Sequence, residues 1–544
     1  MHKLITLLFL VLAQGAFSQG FVKVTDSTNP IVSFTVPPNF NYLGAAWVDY
    51  DNDGDVDLFA APDNLFENLG GGQFQPKNSG IGAGISAGGW TFSGTSWADA
   101  DNDGDLDCLL AYATSKLYLN DGAGNFTALT GAPFDVQNRA WAGAFGDFNN
   151  DTYPDITLTF PTAAAASFKS QILKTTGPLV YEKITGLEYT DVNAPHTTAT
   201  WADFDDDGDF DLFAASGPAL TPPAAPDFIY RNLLVENGSA DLERITDLPF
   251  ASDLQDGQSY SFIDFDNDRD LDICLANYSF APNRLYRNDG NGSWTSVSTA
   301  FTAANFKNCL SNAWGDFDND GDLDVIFTRD SQQKALLFFN DGEGNFIQDT
   351  SSPLAQNSIS TGASIGDYDN DGDLDVFLNA RTDLAGKGKA LFRNDSLGGS
   401  NHWINFKLTG TASNKSALGA KIFVKVTING QSTWLRRDVS AQNTFQGQND
   451  LRVHFGLGDA TTIDSLVVRF PSGAVTTCSG VGVNQFYSIE EKDGVWDLCV
   501  TPVREITQPG TLKIMPNPVK DEFYLEFSEA PGAGELTLTL LDVS

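Results

Sequence analysis

Seven nine-residue stretches of this chain place acidic side chains on alternate positions, and the fullest copies read Asp-x-Asp-x-Asp-Gly-x-x-Asp. The first four supply Asp49, Asp51, Asp53, Asp55 and Asp57; Asp99, Asp101, Asp103, Asp105 and Asp107; Asp147, Asn149, Asp151, Tyr153 and Asp155; and Asp203, Asp205, Asp207, Asp209 and Asp211. The last three supply Asp264, Asp266, Asp268, Asp270 and Asp272; Asp316, Asp318, Asp320, Asp322 and Asp324; and Asp367, Asp369, Asp371, Asp373 and Asp375. In such a nonamer the side chains at positions 1, 3, 5 and 9 and the backbone carbonyl at 7 can converge on one hard cation, and glycine at 6 permits the sharp turn. Calcium suits an all-protein oxygen cage better than magnesium, which keeps several waters. Up to seven Ca2+ are expected. Solvated acidic turns are the weaker reading, because four or five carboxylates in nine residues repel one another strongly without a counter-ion.

Two loops depart from the pattern. The third has Thr152 at the glycine position and fewer carboxylates, and the fifth has Arg269 there. A non-glycine residue in a left-handed turn costs roughly 1–2 kcal/mol, so these two are expected to bind most weakly. The loops also lack the glutamate that an EF-hand carries at position 12, where Ala60, Leu110 and Leu378 stand.

The elements that hold these loops read as strands. The loops start 48 to 61 residues apart, and two positions ahead of each stands Trp47, Trp97, Phe145, Trp201, Phe262, Trp314 or Ile365. A β-favouring run follows each loop, as in Leu58-Phe59-Ala60, and then a hairpin signal such as Leu337-Phe-Phe-Asn-Asp-Gly342. Four short strands per repeat at this period predict an all-β, seven-bladed propeller. The seventh copy runs out after three strands, while Phe21-Val-Lys-Val-Thr25 stands unpartnered ahead of the first. Pairing of Phe21–Val24 beside Ala390–Arg393 would close the ring. The recurrent Trp and Phe are expected to pack between blades, since each blade must bury its faces on the next.

With 71 acidic against 32 basic residues and a formal charge of −39, nucleic acid and anionic membranes are poor partners. Met1-His2-Lys3, the apolar run Leu4–Ala13 and Ala16-Phe17-Ser18 read as a signal peptide cleaved after Ser18. That run is too short to span a bilayer, so membrane insertion is not expected. Of the five cysteines, Cys478 and Cys499 are placed to pair, whereas Cys108 and Cys274 read as small buried hydrophobes.

The loops and hairpins resemble FG-GAP/VCBS repeats, the units of integrin α-subunit-like propellers, over about residues 21–399. From Asn401 the pattern changes, with Asn401-His-Trp-Ile-Asn-Phe-Lys-Leu408, Phe455-Gly-Leu-Gly458 and Pro471-Ser-Gly473. This stretch resembles the ASPIC/UnbV domain of cartilage acidic protein-like proteins, with Phe470 where that family usually has Trp. Ile514-Met-Pro-Asn-Pro-Val-Lys-Asp-Glu-Phe-Tyr-Leu525 resembles the start of a type IX secretion sorting domain. The expected layout is a signal peptide at 1–18, the propeller at 19–399, a β-domain at 400–480, a linker at 481–510 and a partial sorting domain at 511–544.

These resemblances imply a calcium-loaded scaffold exported by the secretion machinery to a bacterial outer surface, used for adhesion or for binding a glycan or an extracellular protein. No catalytic or organic-cofactor residues are assigned. The competing readings are a calcium-dependent polysaccharide lyase, for which His196 is the one propeller histidine, and a structural spacer. All seven loops join first and second strands, so they share one face. Binding is therefore expected on the opposite face, in variable segments such as Ser216–Pro226, with Tyr189, Trp90 and Trp141 as stacking groups.

Overall fold

The computed structural model describes residues 20–36, 40–83, 91–134, 140–160, 169–192, 194–217, 224–279, 281–330, 333–380, 388–395, 399–496, 501–502, 512–515 and 524–527. Among them the chain is built of strands, with four helices of four residues each. The cause is local, because the apolar runs flanking each loop are short, rich in β-branched and aromatic residues, and closed by Gly and Asn turns. Residues 1–18 and Trp90 lie outside the described residues. So does most of 511–544, where Leu512–Met515 pairs with Tyr524–Phe527.

The repeat region folds into antiparallel sheets of four strands, each used in chain order. The first holds Ala45–Val48, Asp57–Ala60, Asn64–Asn68 and Phe74–Lys77. The same order runs from Thr91–Ala98 to Phe126–Ala128, from Gly143–Gly146 to Tyr181–Lys183 and from His196–Ala202 to Leu242–Ile245. It recurs from Gly257–Ile263 to Trp294–Ser296 and from Cys309–Gly315 to Phe346–Asp349. The second sheet carries a fifth strand, Phe40–Leu43, parallel to Thr91–Ala98. In the last sheet Ser360–Gly366, Asp375–Ala380 and Ala390–Asn394 are completed by Phe21–Lys23, with Phe21 opposite Asn394 and Lys23 opposite Phe392. The expected closure by the N-terminal strand is what the chain does.

First strands of successive sheets pack on one another in cyclic order, and Ser360–Gly366 returns to Ala45–Val48. Such four-stranded sheets are consistent with a β-propeller. The aromatics ahead of the loops fill the spaces between sheets, as expected: Trp47 stacks on Tyr368 of the last sheet at 5.6 Å, and Trp201 on Phe148 of the preceding sheet at 5.1 Å. Burying faces sheet against sheet is what makes a ring of marginal units cohere.

The second unit has two mixed sheets. One orders Val453–Gly458, His402–Thr409, Phe486–Glu490 and Thr501–Pro502; the other orders Gln431–Asp438, Lys421–Ile428, Ser465–Arg469, Val475–Cys478 and Gly494–Trp496. The linker expected at 481–510 is therefore corrected, because Phe486–Glu490 lies parallel to His402–Thr409 in the interior of the first sheet. Its period-two pattern is only five residues long and runs straight into the charged residues Glu491, Lys492 and Asp493, which disguises a strand as a connection. Cys108, Cys274 and Cys309 are free and buried, and Cys478 is disulfide-bonded. Its expected partner, Cys499, lies outside the described residues. No helix among the described residues is long and apolar enough to cross a membrane.

Candidate functional site

Each aspartate loop is drawn shut by its own backbone. In six of the seven, the first aspartate accepts from the N–H groups of positions 5 and 6, at 2.7–3.1 Å. In all seven the ninth aspartate uses both oxygens, one on the N–H of position 2 and one on the N–H of the third strand, at 2.6–3.2 Å. The ninth side chain is thus a clamp between loop and strand, beyond the ligand role that spacing alone assigns it. Backbone angles match the turn chemistry, with φ of +94° at Gly54 and +106° at Gly104. Thr152 and Arg269 are forced to +81° and +80° at the same position.

What remains after these bonds is a set of oxygens without partners. Asp51, Asp101, Asp266, Asp318 and Asp369, all at position 3, each keep a buried Oδ1 that makes no hydrogen bond. Carboxylate oxygens gather within 4.8 Å in Asp99, Asp101 and Asp107, in Asp203, Asp205 and Asp211, in Asp264, Asp266 and Asp272, and in Asp49, Asp51 and Asp53. Burial pushes Asp51 and Asp99 up to about 7 and Asp107 to about 8, with neighbouring carboxylates adding to the rise. Asp211, Asp324 and Asp375 are held well above the usual carboxylate range, again chiefly by burial. Buried, mutually repelling carboxylates with unsatisfied oxygens fit a hard cation, which would complete the cages through positions 1, 3, 5 and 9.

The loops are also sewn to one another. At position 4, Asn52, Asn102, Asn150, Asn267, Asn319 and Asn370 each donate to the next loop, the last returning from Asn370 to Asp55 Oδ1 at 2.7 Å. Asparagines ending the third strands reach backward, as Asn68 does to the Tyr368 carbonyl and Asn120 to that of Tyr50. The loops therefore lie side by side on one face. Sequence reasoning missed both sets, although Asn recurring at position 4 and before the Asp-Gly hairpins was the available signal.

That face is covered by the second unit. Lys407 Nζ meets Asp49 Oδ2 at 3.0 Å, Lys421 Nζ meets Asp203 Oδ2 at 2.5 Å, and Arg436 reaches Asp206 Oδ1 and the Arg269 carbonyl at 2.9 and 2.7 Å. Arg452 donates to the carbonyls of Gly54 and Asp367 and to Asn370 Oδ1, and His454 Nε2 lies 3.0 Å from the Gly372 carbonyl. Between strands Gln431–Asp438 and Val453–Gly458, a segment enters the ring. Ser96 donates to the Ala441 carbonyl, Ser261 to that of Asn443 and Ser364 to that of Gln448, while the Phe445 N–H donates to Ser311. At Gly44 this plug passes so near that a Cβ would lie 1.6 Å from the Gln446 carbonyl oxygen. Phe445 packs with Tyr42, Trp141 and Leu310 near the starts of the first strands, at the end away from the loops.

Two expectations about binding groups are corrected. Tyr189 is fully buried and Trp141 is 7% exposed, because Tyr189 stacks on His196 and Trp141 packs around the plug, so neither is available for stacking a partner. His196 is itself buried against Ser170 Oγ at 2.7 Å, and burial pushes its imidazole down to about 3. A polar cavity of about 450 Å³ opens instead at the rim, between Asn149 and Asp151 of the third loop, Lys174 of its sheet, and Ser239 of the next.

Segments 49–110, 108–158, 264–327 and 316–378 match the FG-GAP-like repeat family, taking in six of the seven loops, and residues 410–495 match the ASPIC and UnbV family. No curated protein matches the chain. Among solved structures it is similar to a chain of the Photorhabdus luminescens Tc holotoxin pore, at 13% identity and a TM-score of 0.33, covering 76% of this chain and 18% of that one. It is also similar to the extracellular domain of the B. thetaiotaomicron protein BT4673, at 9% identity and a TM-score of 0.39, covering 85% and 58%. A Lactobacillus plantarum protein gives 9% identity and a TM-score of 0.37, covering 64% and 94%. Superpositions this loose carry no argument about what the chain does.

Proposed function

We propose that the chain is an exported, calcium-loaded, seven-bladed propeller that serves as a surface scaffold, presenting its rim and its open face to a glycan or an extracellular protein without a catalytic step. One observation carries the calcium reading: five loops leave the same position-3 oxygen buried and unpartnered. An uncompensated buried carboxylate oxygen is costly, and the same unpartnered oxygen at one register position in five sheets calls for one kind of counter-ion. Asp, Asn and backbone oxygens at 2.3–2.6 Å are calcium's usual company. Supporting the scaffold reading, the FG-GAP-like repeats fit a surface-binding role, and His196, the histidine that a lyase reading would use, is fully buried. Equilibrium dialysis followed by elemental analysis tests the ion, with up to seven Ca2+ per chain expected. A glycan and matrix-protein array, run with calcium and with chelator, tests the scaffold. Turnover of a polysaccharide with release of unsaturated ends would overturn it in favour of a lyase.

A further inference from the structure

We propose that the fourth sheet carries an additional divalent-cation site, formed by Asp207, Asp209 and Glu236, beside the loop cage of Asp203, Asp205 and Asp211; the proposal rests on the calcium reading of the loops. The three residues each bring a carboxylate oxygen within 4.8 Å of the others. Asp209 is 2% exposed, and while its Oδ2 accepts from the Val235 N–H at 2.9 Å, its Oδ1 is buried with no hydrogen-bond partner. A loop of this kind uses only the backbone carbonyl of its seventh residue, so the Asp209 side chain is free to serve elsewhere.

The fourth sheet differs from the second and sixth in the turn that covers this side chain. In the second and sixth sheets a glycine hairpin lies directly on the seventh aspartate, and a Cβ on Gly122 or Gly342 would stand 2.5 Å from Asp105 or Asp322 Oδ2. In the fourth, the turn is a short helix, Leu234–Asn237, that brings Glu236 over Asp209 instead. Charge is distributed to match. Fixed cations already sit on the inner half of this loop: Lys421 on Asp203, Arg231 on Asp205 at 2.8 Å, and Arg436 on Asp206 at 2.9 Å. Among the described residues no Lys or Arg pairs with Asp207, Asp209 or Glu236; Asp207, the loop's position-5 ligand, would bridge the cage ion and the added one, while Asp209 and Glu236 serve the added site alone. Three carboxylates with an open side suit Ca2+, whose remaining positions would be filled by water or by a partner's oxygen.

The full chain and its Glu236→Gln variant, which keeps the shape of an exposed side chain, decide the matter by equilibrium dialysis against calcium and by anomalous diffraction from crystals soaked in Mn2+. The proposal expects one fewer bound ion per chain in the variant, an anomalous peak between Asp207, Asp209 and Glu236 in the parent, and no such peak in the variant. Equal stoichiometry in both proteins, with peaks only in the loop cages, overturns the extra site and leaves the loop reading standing. Binding of no calcium by either protein overturns both.

Discussion

Arg452 joins the second unit to the seam where the ring closes, so Arg452→Met asks whether ring and cap melt as one body. Its guanidinium pairs with Asp450 at 2.6 Å and donates to the Asp367 carbonyl at 2.8 Å, to Asn370 Oδ1 at 2.9 Å and to the Gly54 carbonyl at 3.2 Å. Those acceptors belong to the seventh and first loops, the two that the N-terminal strand and the Asn370–Asp55 bond hold together. Both ionic partners are buried, at 7% and 9% side-chain exposure, so removal of the guanidinium strands a carboxylate in the interior. Breaking a buried pair from one side costs about 3–5 kcal/mol. In a body this large a kcal/mol shifts Tm by at most about 2 °C, so a fall of about 6–10 °C is the ceiling expected by scanning calorimetry in calcium. Adding Asp450→Asn removes the stranded charge and should recover about half of the loss. Hydrogen exchange should quicken first at Phe21–Lys23 and Ala390–Asn394. A melt within about 1 °C of the parent, or a double variant no more stable than the single, would refute the idea that the cap secures the seam.

Chelation should lower Tm, and Asp316→Ala should do so more than Asp147→Ala, because the third loop has fewer carboxylates and the strained Thr152; an unchanged melt after exhaustive chelation removes the structural role for calcium. Without calcium, stability should fall as pH rises from about 5 to 8: Asp51, Asp99 and Asp107 are raised to about 7, 7 and 8, so the folded chain holds protons that the unfolded chain has already lost. With calcium the ion takes the place of those protons, and the gain from calcium should widen over the same window; a chelated melt that rises with pH contradicts this. Arg269→Gly relieves a φ of +80°, worth about 1–2 kcal/mol against about 0.5–1 kcal/mol for glycine's freedom, so a net gain of at most about 1.5 kcal/mol and tighter calcium binding are expected by denaturant titration. Gly44→Ala places a Cβ on the Gln446 carbonyl and should expel the plug, read as new proteolytic cleavage between 440 and 450; resistance equal to the parent's would show that the plug tolerates displacement.

Short-range chemistry made much of this protein legible in its sequence. Asp at alternate positions with Gly at 6 specifies a loop within nine residues, Trp or Phe two places ahead specifies what packs between sheets, and a stranded Phe21–Val24 with an incomplete last repeat specifies closure. Each of these signals is repeated, and repetition is what lets one sequence separate pattern from accident. The cap, the plug and the Lys and Arg groups on the loops are single-copy features joining residues hundreds of positions apart, such as Lys407 with Asp49 and Gln448 with Trp97. Nothing local distinguishes Lys421, buried on Asp203, from a solvated lysine, because its environment is made by another sheet. The sequence by itself determined the loops, the strand grammar and the ring's seam, where the physics is that of neighbouring residues. Only the tertiary structure decided that the loop face is covered, because that depends on where a second folded unit, with its own core and its own surface charge, comes to rest on the first.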